Sequence, residues 1–135
     1  MSGLVFLDAS FWIAYRDERQ EFHSLAKEIT PRVFRERVIF VTTLPVICEI
    51  HAHFARSRLK KRVVMDDLFS NPVVNIAEVT TQDQREALEL LRTHQDKSYS
   101  LCDAASFVVM RRLEVVRALA FDDHFRQFGE FEIIG

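Results

Sequence analysis

Short runs of apolar residues alternate along the chain with longer stretches in which apolar positions recur at helical spacing. Each run is apolar at consecutive positions, which is typical of a strand covered on both faces. The stretches between the runs carry cap and turn residues near their ends, which is typical of helices. The pattern predicts strands at residues 4–7, 38–41, 73–77, 115–120 and 131–134, and helices at 11–15, 21–37, 44–56, 63–69, 81–94, 100–110 and 124–128.

Local signals set several of these boundaries. Ser10 is the predicted N-cap of the first helix, and Pro31 is expected to kink or divide the second. Thr42 and Thr43 are cap candidates for the third helix, which has Pro45 in its first turn.

This alternation predicts an α/β fold, with a mostly parallel sheet of about five strands and helices on both faces. The 135 residues fall short of the length at which chains usually divide, so we expect a single domain over residues 1–135. In folds of this class the ligand site lies beyond the carboxyl ends of the strands. The residues that follow each strand are therefore the first candidates for chemistry.

The predicted helix at 100–110 is apolar on nearly every side, yet its first turn carries Asp103. Such a helix is buried, and a buried carboxylate is costly unless it is hydrogen-bonded, protonated or bound to a cation. A local partner is available because Ser100 and Asp103 have the spacing of a capping box. The alternative partner is a cation shared with acids from elsewhere in the chain.

Acids also follow two of the predicted strands, with Asp8 after the first and Asp122 and Asp123 after the fourth. Glu49 lies in the third helix and, taken alone, is interpreted as a solvated surface acid opposite an apolar stripe of Leu44, Ile47, Ile50 and Phe54. The helices that carry Glu49 and Asp103 begin at the same sheet edge, where four carboxylates would repel one another. A divalent cation offsets this repulsion, and carboxylates and waters are the ligands that magnesium prefers.

Composition narrows the classes of protein. Hydrophobic residues make up 48% of the chain and charged residues 28%, which indicates a globular protein. No apolar run approaches the length of about 20 residues that a membrane helix needs, and no signal peptide is evident, so we expect a cytoplasmic protein without membrane contact. Cys48 and Cys102 are interpreted as reduced, buried thiols.

Charge and residue types exclude some kinds of site. The formal net charge of -2 argues against broad, unspecific coating of nucleic acid. The scattered histidines form no zinc quartet, and the scarce glycines form no phosphate-binding loop. A basic strip remains, interpreted either as solvated helix surface or as a nucleic-acid contact; it consists of Arg56, Arg58, Lys60, Lys61 and Arg62.

Four short motifs, in this order, resemble those of the PIN-domain nucleases, and more narrowly of the VapC-type ribonuclease toxins of toxin-antitoxin pairs. The motifs are Asp8-Ala9-Ser10, Val46-Ile47-Cys48-Glu49, Tyr99-Ser100-Leu101-Cys102-Asp103-Ala104 and Ala120-Phe121-Asp122-Asp123-His124-Phe125. Each motif is weak alone, but four in the right order are specific. The resemblance covers nearly the whole chain and implies the PIN-like three-layer α/β/α fold.

The resemblance implies hydrolysis of RNA phosphodiester bonds by metal-activated water. Asp8, Glu49, Asp103 and Asp122 would be the catalytic acids, with Mg²⁺ or Mn²⁺ held by Asp8, Asp103 and Asp122. Glu49 would hold a second ion or a metal-bound water. The number of ions stays open.

Three supporting details also follow from the resemblance. Ser10 is a candidate for orienting Asp8, and whether Asp122 or Asp123 faces the cation stays open. Ala120 departs from the family, because many relatives have a threonine or serine hydroxyl there. The basic strip becomes a candidate contact for the RNA backbone. The implied partners are the RNA substrate, a cognate antitoxin and a second copy of the chain in a homodimer.

Three other kinds of protein share parts of this pattern. A phosphoacceptor receiver domain needs two adjacent acids after the first strand, an aspartate after the third and a lysine near the fifth. This chain has only Asp8 after the first strand, Glu78 instead of an aspartate after the third, and no lysine beyond Lys97. An aspartyl phosphatase needs a second acid where Ser10 lies. A non-catalytic PIN-like scaffold that binds RNA or protein is favoured only by Ala120.

Overall fold

The structure is a computed structural model and describes residues 3–135, so the first two residues of the predicted domain lie outside it. Five strands and seven helices alternate in the described part of the chain. In order they are β1 (Leu4–Leu7), α1 (Ala9–Arg16), α2 (His23–Arg35), β2 (Ile39–Thr43), α3 (Leu44–His53), α4 (Arg58–Phe69), β3 (Val74–Ala77), α5 (Thr81–Thr93), α6 (Leu101–Arg112), β4 (Arg117–Leu119), α7 (Asp123–Phe128) and β5 (Glu132–Ile134).

The five strands form one sheet in the order β3-β2-β1-β4-β5, and every neighbouring pair is parallel. The register places Phe6 of β1 opposite Val41 of β2 on one side and Ala118 of β4 on the other. The chain builds the sheet outward from β1 in one direction and then, from β4, in the other. This reversal leaves a crevice beyond the carboxyl ends of β1 and β4, where ligands bind in folds of this class.

Helices cover both faces of the sheet. Right-handed crossovers place α1–α4 on one face and α5–α7 on the other, consistent with the packing of α1 on α2 and α3 and of α5 on α6. Val5, Phe6 and Leu7 are consecutive and all at most 1% exposed, so β1 is buried on both faces. The predicted α/β class and five-stranded, mostly parallel sheet are confirmed. In the described residues, no helix has the length and apolar character needed to cross a membrane.

The predicted N-cap of the first helix was wrong, and so was a division of the second helix at Pro31. Asp8, not Ser10, caps α1, because its carboxylate accepts from the Ser10 backbone N–H. Pro31 does not divide the second helix, since α2 continues through it to Arg35. In the turn before Pro31, the Thr30 hydroxyl donates to the Ala26 carbonyl at 2.7 Å.

The third helix is shorter than predicted. α3 ends at His53, and α4 begins at Arg58 instead of residue 63 because Ser57 caps it. Leu44 of the predicted apolar stripe is exposed, as is Cys48, which was predicted to be a buried thiol. Cys102 is partly buried, and neither cysteine forms a disulfide.

Candidate metal centre at the sheet crevice

Asp8 lies in the crevice because β1 ends immediately before it. Its backbone N–H donates to the Leu119 carbonyl of β4 at 3.0 Å, which continues the sheet pairing by one residue. Its side chain is only 4% exposed. Burial is the largest cause that raises the pKa of Asp8, to about 7, and the charges of Asp103 and Asp122 raise it further against the opposing effect of hydrogen bonds from Ser10.

Ser10 connects Asp8 to the segment after β4. Its hydroxyl donates to Asp8 Oδ2 at 2.5 Å and accepts from the backbone N–H groups of Phe121 at 3.0 Å and Asp122 at 3.2 Å. One side chain therefore holds both sides of the crevice together. Ala120, where many relatives carry a hydroxyl, is fully buried, and here Ser10 supplies the hydroxyl that contacts this segment.

Asp103 has both of the partners considered from sequence. It forms the predicted capping box, in which the Ser100 N–H donates to Asp103 Oδ2 and the Asp103 N–H to Ser100 Oγ, both at 3.0 Å. The same Oδ2 lies 2.7 Å from Nδ1 of His124. α6 is buried from Asp103 to Met110, as its apolar pattern predicted. The cap thus fixes the carboxylate without removing it from the crevice.

The structure brings Asp122, and not Asp123, to Asp103. Asp122 caps α7 and accepts from the His124 N–H at 2.9 Å, whereas Asp123 points outward and is exposed. One ligand atom each of Asp103, Asp122 and His124 lies within 4.8 Å of the others. His124 Nδ1 is 3.3 Å from Asp122 Oδ1, and its Nε2 is 3.0 Å from Ser98 Oγ.

His124 is the member of this cluster that the sequence analysis missed. The absence of a zinc quartet in the sequence does not exclude a single histidine as a ligand. The available signal was the spacing of Asp122 and His124, which places both at the first turn of the helix that follows β4.

Glu49 faces the same cluster from α3 while its outer side stays exposed. Partial burial raises the pKa of Glu49, a hydrogen bond with the Cys102 thiol lowers it, and the charges of Asp103 and Asp122 raise it. Burial also raises the pKa of the Cys102 thiol, with the Glu49 and Asp8 charges adding to the effect. The interpretation of Glu49 as an ordinary surface acid is therefore incomplete, since it is exposed but interacts with the other acids.

The donor set suits a divalent cation. In residues 3–135, no lysine or arginine forms an ion pair with Asp8, Glu49, Asp103 or Asp122, so their mutual repulsion is not offset by a fixed cationic side chain. Three carboxylates, a further acid at the rim and one imidazole nitrogen are available at this point. Oxygen donors favour magnesium or manganese, and imidazole adds preference for a first-row transition metal.

The basic strip lies at the far end of α3 from its start at the crevice. Lys60 Nζ donates to the Arg16 carbonyl at 2.6 Å and to Glu18 at 2.5 Å, and Lys61 Nζ donates to the Ala55 carbonyl at 3.4 Å. The three arginines of the strip are exposed: Arg56, Arg58 and Arg62. Part of the predicted RNA contact is thus occupied in holding α4 to the end of α1.

The PIN domain, compared as a sequence family, matches residues 5–130. This chain belongs to the PIN-domain family. The match spans all four acids, the last three residues of β1 and the whole of β2, β3 and β4, and it ends before β5.

Among individual proteins, the PIN domain described here is 29% identical over 134 residues to the 23S rRNA-specific endonuclease VapC20 of two Mycobacterium tuberculosis strains, covering 96% of this chain and 98% of the relative. The crystal structure of M. tuberculosis VapC20, titled a sarcin-ricin loop cleaving toxin, superimposes with a TM-score of 0.84 at 28% identity, covering 97% of this chain and 99% of that one. VapBC2 of Rickettsia felis, solved bound to a fragment of its promoter DNA, has a TM-score of 0.62 at 9% identity over 97% of both chains and shows the shared fold alone.

Proposed function

We propose that this PIN-domain protein is a metal-dependent endoribonuclease of the VapC toxin type. The observation that carries the proposal is the convergence of Asp8, Glu49, Asp103 and Asp122 in one crevice without a lysine or arginine paired to them in residues 3–135. The sequence and structural likeness to VapC20, a 23S rRNA-specific endonuclease, makes RNA the substrate class.

Asp103, Asp122 and His124 are the residues we assign to the cation, with Asp8 directly behind them. A bound magnesium or manganese ion would lower the pKa of a water molecule and offset the negative charge that develops on the phosphorus. Ser10 fixes the direction of the Asp8 carboxylate, and Ser98 lies within hydrogen-bond distance of the remaining ring nitrogen of His124.

Glu49 is assigned to the water that attacks the phosphodiester. Its carboxylate borders solvent, and its raised pKa makes it a better proton acceptor than an ordinary surface glutamate. The Cys102 thiol holds this carboxylate from the protein side. Asp123 is left outside the catalytic set because its side chain is exposed.

The proposed partners are those expected of a VapC-type ribonuclease. We assign Arg56, Arg58 and Arg62 to the RNA backbone, which they would contact without reading sequence. As a toxin of this type, the protein would bind a cognate antitoxin and act in the cytoplasm.

We assign the dimer contact to an apolar groove between α3, α5 and α6, with a volume of about 690 Å³. Leu44, Leu88 and Leu101 line it, and each is more than half exposed. A second copy that covered these side chains would remove apolar surface from water.

The proposal is tested with two RNAs, a hairpin of the sarcin-ricin loop and a single strand of mixed sequence. Cleavage with Mg²⁺ or Mn²⁺ that stops on adding EDTA is expected. Asp103→Asn keeps the capping geometry but removes a metal ligand, and its activity should fall by more than about 100-fold, the upper range for residues that only support ligands. Asp123→Asn, the same change at an exposed acid, should leave cleavage unchanged.

Full activity of Asp103→Asn, or cutting that persists in EDTA, would contradict the proposal. Binding of RNA without any metal-dependent cleavage would support the alternative of a non-catalytic scaffold.

A further inference from the structure

A column of three phenylalanine rings runs from the core to the surface beside the candidate metal centre. Phe11 of α1 is fully buried, Phe121 is half-buried, and Phe22 is 42% exposed. The rings of Phe11 and Phe121 are nearly parallel, at 11° with centroids 5.0 Å apart, and those of Phe121 and Phe22 lie at 17° and 4.9 Å. Phe22 is therefore the outer end of an ordered stack.

We propose that the exposed ring of Phe22 is a stacking site for a nucleobase of the RNA substrate. The proposal rests on the proposed function and adds a substrate subsite to it. Aromatic side chains bind unpaired bases in this way because every base has a π face.

The column is tied to the acids through the backbone. Phe121 immediately precedes Asp122, and its N–H donates to the same Ser10 hydroxyl that bonds Asp8. A base that continued the stack beyond Phe22 would lie only two rings away from this segment. The stack and the candidate metal ligand Asp122 therefore start from consecutive residues of one segment.

The position of Phe22 is fixed by the turn between α1 and α2. The His23 N–H donates to the Gln20 carbonyl at 3.1 Å, and His23 Nδ1 lies 2.7 Å from the Ala14 carbonyl. The Phe22 carbonyl in turn accepts from the Ala26 N–H at 2.9 Å. An ordered ring loses little conformational entropy when a ligand stacks on it.

The negative charge of the crevice favours a stacking contact with an RNA base over a contact with an RNA phosphate. The crevice gathers four carboxylates in a chain with a net charge of -2, so the RNA backbone is repelled there until a cation is bound. Stacking does not depend on charge and can hold the substrate despite this repulsion. Its contribution should therefore be nearly independent of salt, unlike that of lysine and arginine contacts.

The test measures binding in EDTA, so that it does not depend on cleavage. The probe is a single-stranded RNA of about eight nucleotides, within the range of sites that stack bases, with one 2-aminopurine whose fluorescence reports stacking. Phe22→Ala and Phe22→Leu should each weaken binding by about 5- to 100-fold and abolish the fluorescence change. Phe22→Trp should retain both.

Phe34→Ala is the matched control, because Phe34 lies near the end of α2, the helix that Phe22 precedes, and is 40% exposed but packs on Phe40 away from the column. It should bind RNA as the unmodified protein does, and thermal unfolding verifies that every variant is folded. The loss caused by Phe22→Leu should be the same at low and high potassium chloride.

Unchanged affinity in Phe22→Leu, an equal loss in Phe34→Ala, or a loss that disappears at high salt would overturn the stacking site. A Phe22 variant that binds RNA normally but no longer binds a protein partner would overturn it as well. Failure of the proposed function has a different signature, namely no metal-dependent cleavage by the unmodified protein.

Discussion

Replacing Asp8 with asparagine should stabilise the protein in the absence of metal. In the folded chain, burial and the neighbouring acids raise the pKa of Asp8 from 3.8 to about 7. The folded state therefore holds this proton more tightly than the unfolded state does, and the free energy of unfolding falls as pH rises between these two values. Asparagine is neutral at every pH, so Asp8→Asn should not lose stability in this way as pH rises.

The magnitude follows from the size of the pKa change. Each pKa unit corresponds to about 1.4 kcal/mol, so ionisation of Asp8 costs up to about 4 kcal/mol above pH 7. The N-terminus of α1 favours an anion by up to about 1 kcal/mol, which leaves about 3 kcal/mol. Asparagine caps helices as well as aspartate does, and a single oxygen suffices because Ser10 N and Oγ both bond Oδ2.

The assay is thermal unfolding in EDTA at pH values on both sides of the folded pKa. Near pH 8 Asp8→Asn should unfold roughly 10 °C above the unmodified chain, and the difference should shrink as pH falls toward 4. Asp123→Asn serves as the control, since that exposed acid should show no such gain. Adding Mn²⁺ should stabilise the unmodified chain more than Asp8→Asn.

An Asp8→Asn protein that is less stable than the unmodified chain at pH 8, or equally sensitive to pH, would refute the electrostatic reasoning. The Asp8 carboxylate would then be stabilised by contacts that outweigh its burial.

Two further predictions concern the metal and the dimer. His124→Ala should weaken Mn²⁺ binding by at least about tenfold and Mg²⁺ binding less, because imidazole favours the transition metal. Calorimetry measures both affinities, with His51→Ala, at an exposed histidine, as the control. If His124→Ala bound Mn²⁺ as tightly as the unmodified chain, His124 would not be a metal ligand. Leu88→Glu should convert a dimer to monomers in sedimentation analysis, because it places charges in the apolar groove. Leu59→Glu, at an exposed leucine outside that groove, should leave the dimer intact.

The strands and their order in the chain could be predicted because consecutive apolar residues such as Val5, Phe6 and Leu7 have few alternatives to a doubly covered strand. Helix boundaries were less predictable. Leu44 has the apolar spacing that is typical of the buried face of a helix. However, α3 begins at Leu44, where the sheet ends, so the Leu44 side chain stays exposed. Pro31 does not divide α2, because packing of the buried Ile29 and Val33 holds the helix together despite the lost backbone donor.

The acids could be predicted from their positions because strand ends of a parallel sheet meet at one edge. The spacing of Asp122 and His124 was a local signal for His124, but its contacts with Asp103 and Ser98, and the contact of Phe22 with Phe121, join distant parts of the chain. Ser98 reaches His124 only after the loop before α6 folds across α7. Phe22 meets Phe121 only when the turn before α2 closes beside β4.

In the part of the chain that the structure describes, hydroxyl groups, and not cationic side chains, hold the carboxylates of the crevice in place. Ser10 bridges Asp8 and the segment after β4 with one hydroxyl, and Ser100 fixes Asp103 with another. Both hydroxyl groups are neutral, and the hydrogen bonds from Ser10 lower the pKa of Asp8 by less than burial and the neighbouring acids raise it. A lysine or arginine in the same place would stabilise the fold but would compete with a divalent cation for the same oxygens. The cost of ionising Asp8 is therefore the expected property of a site that is ordered before the cation arrives and fully stabilised only by it.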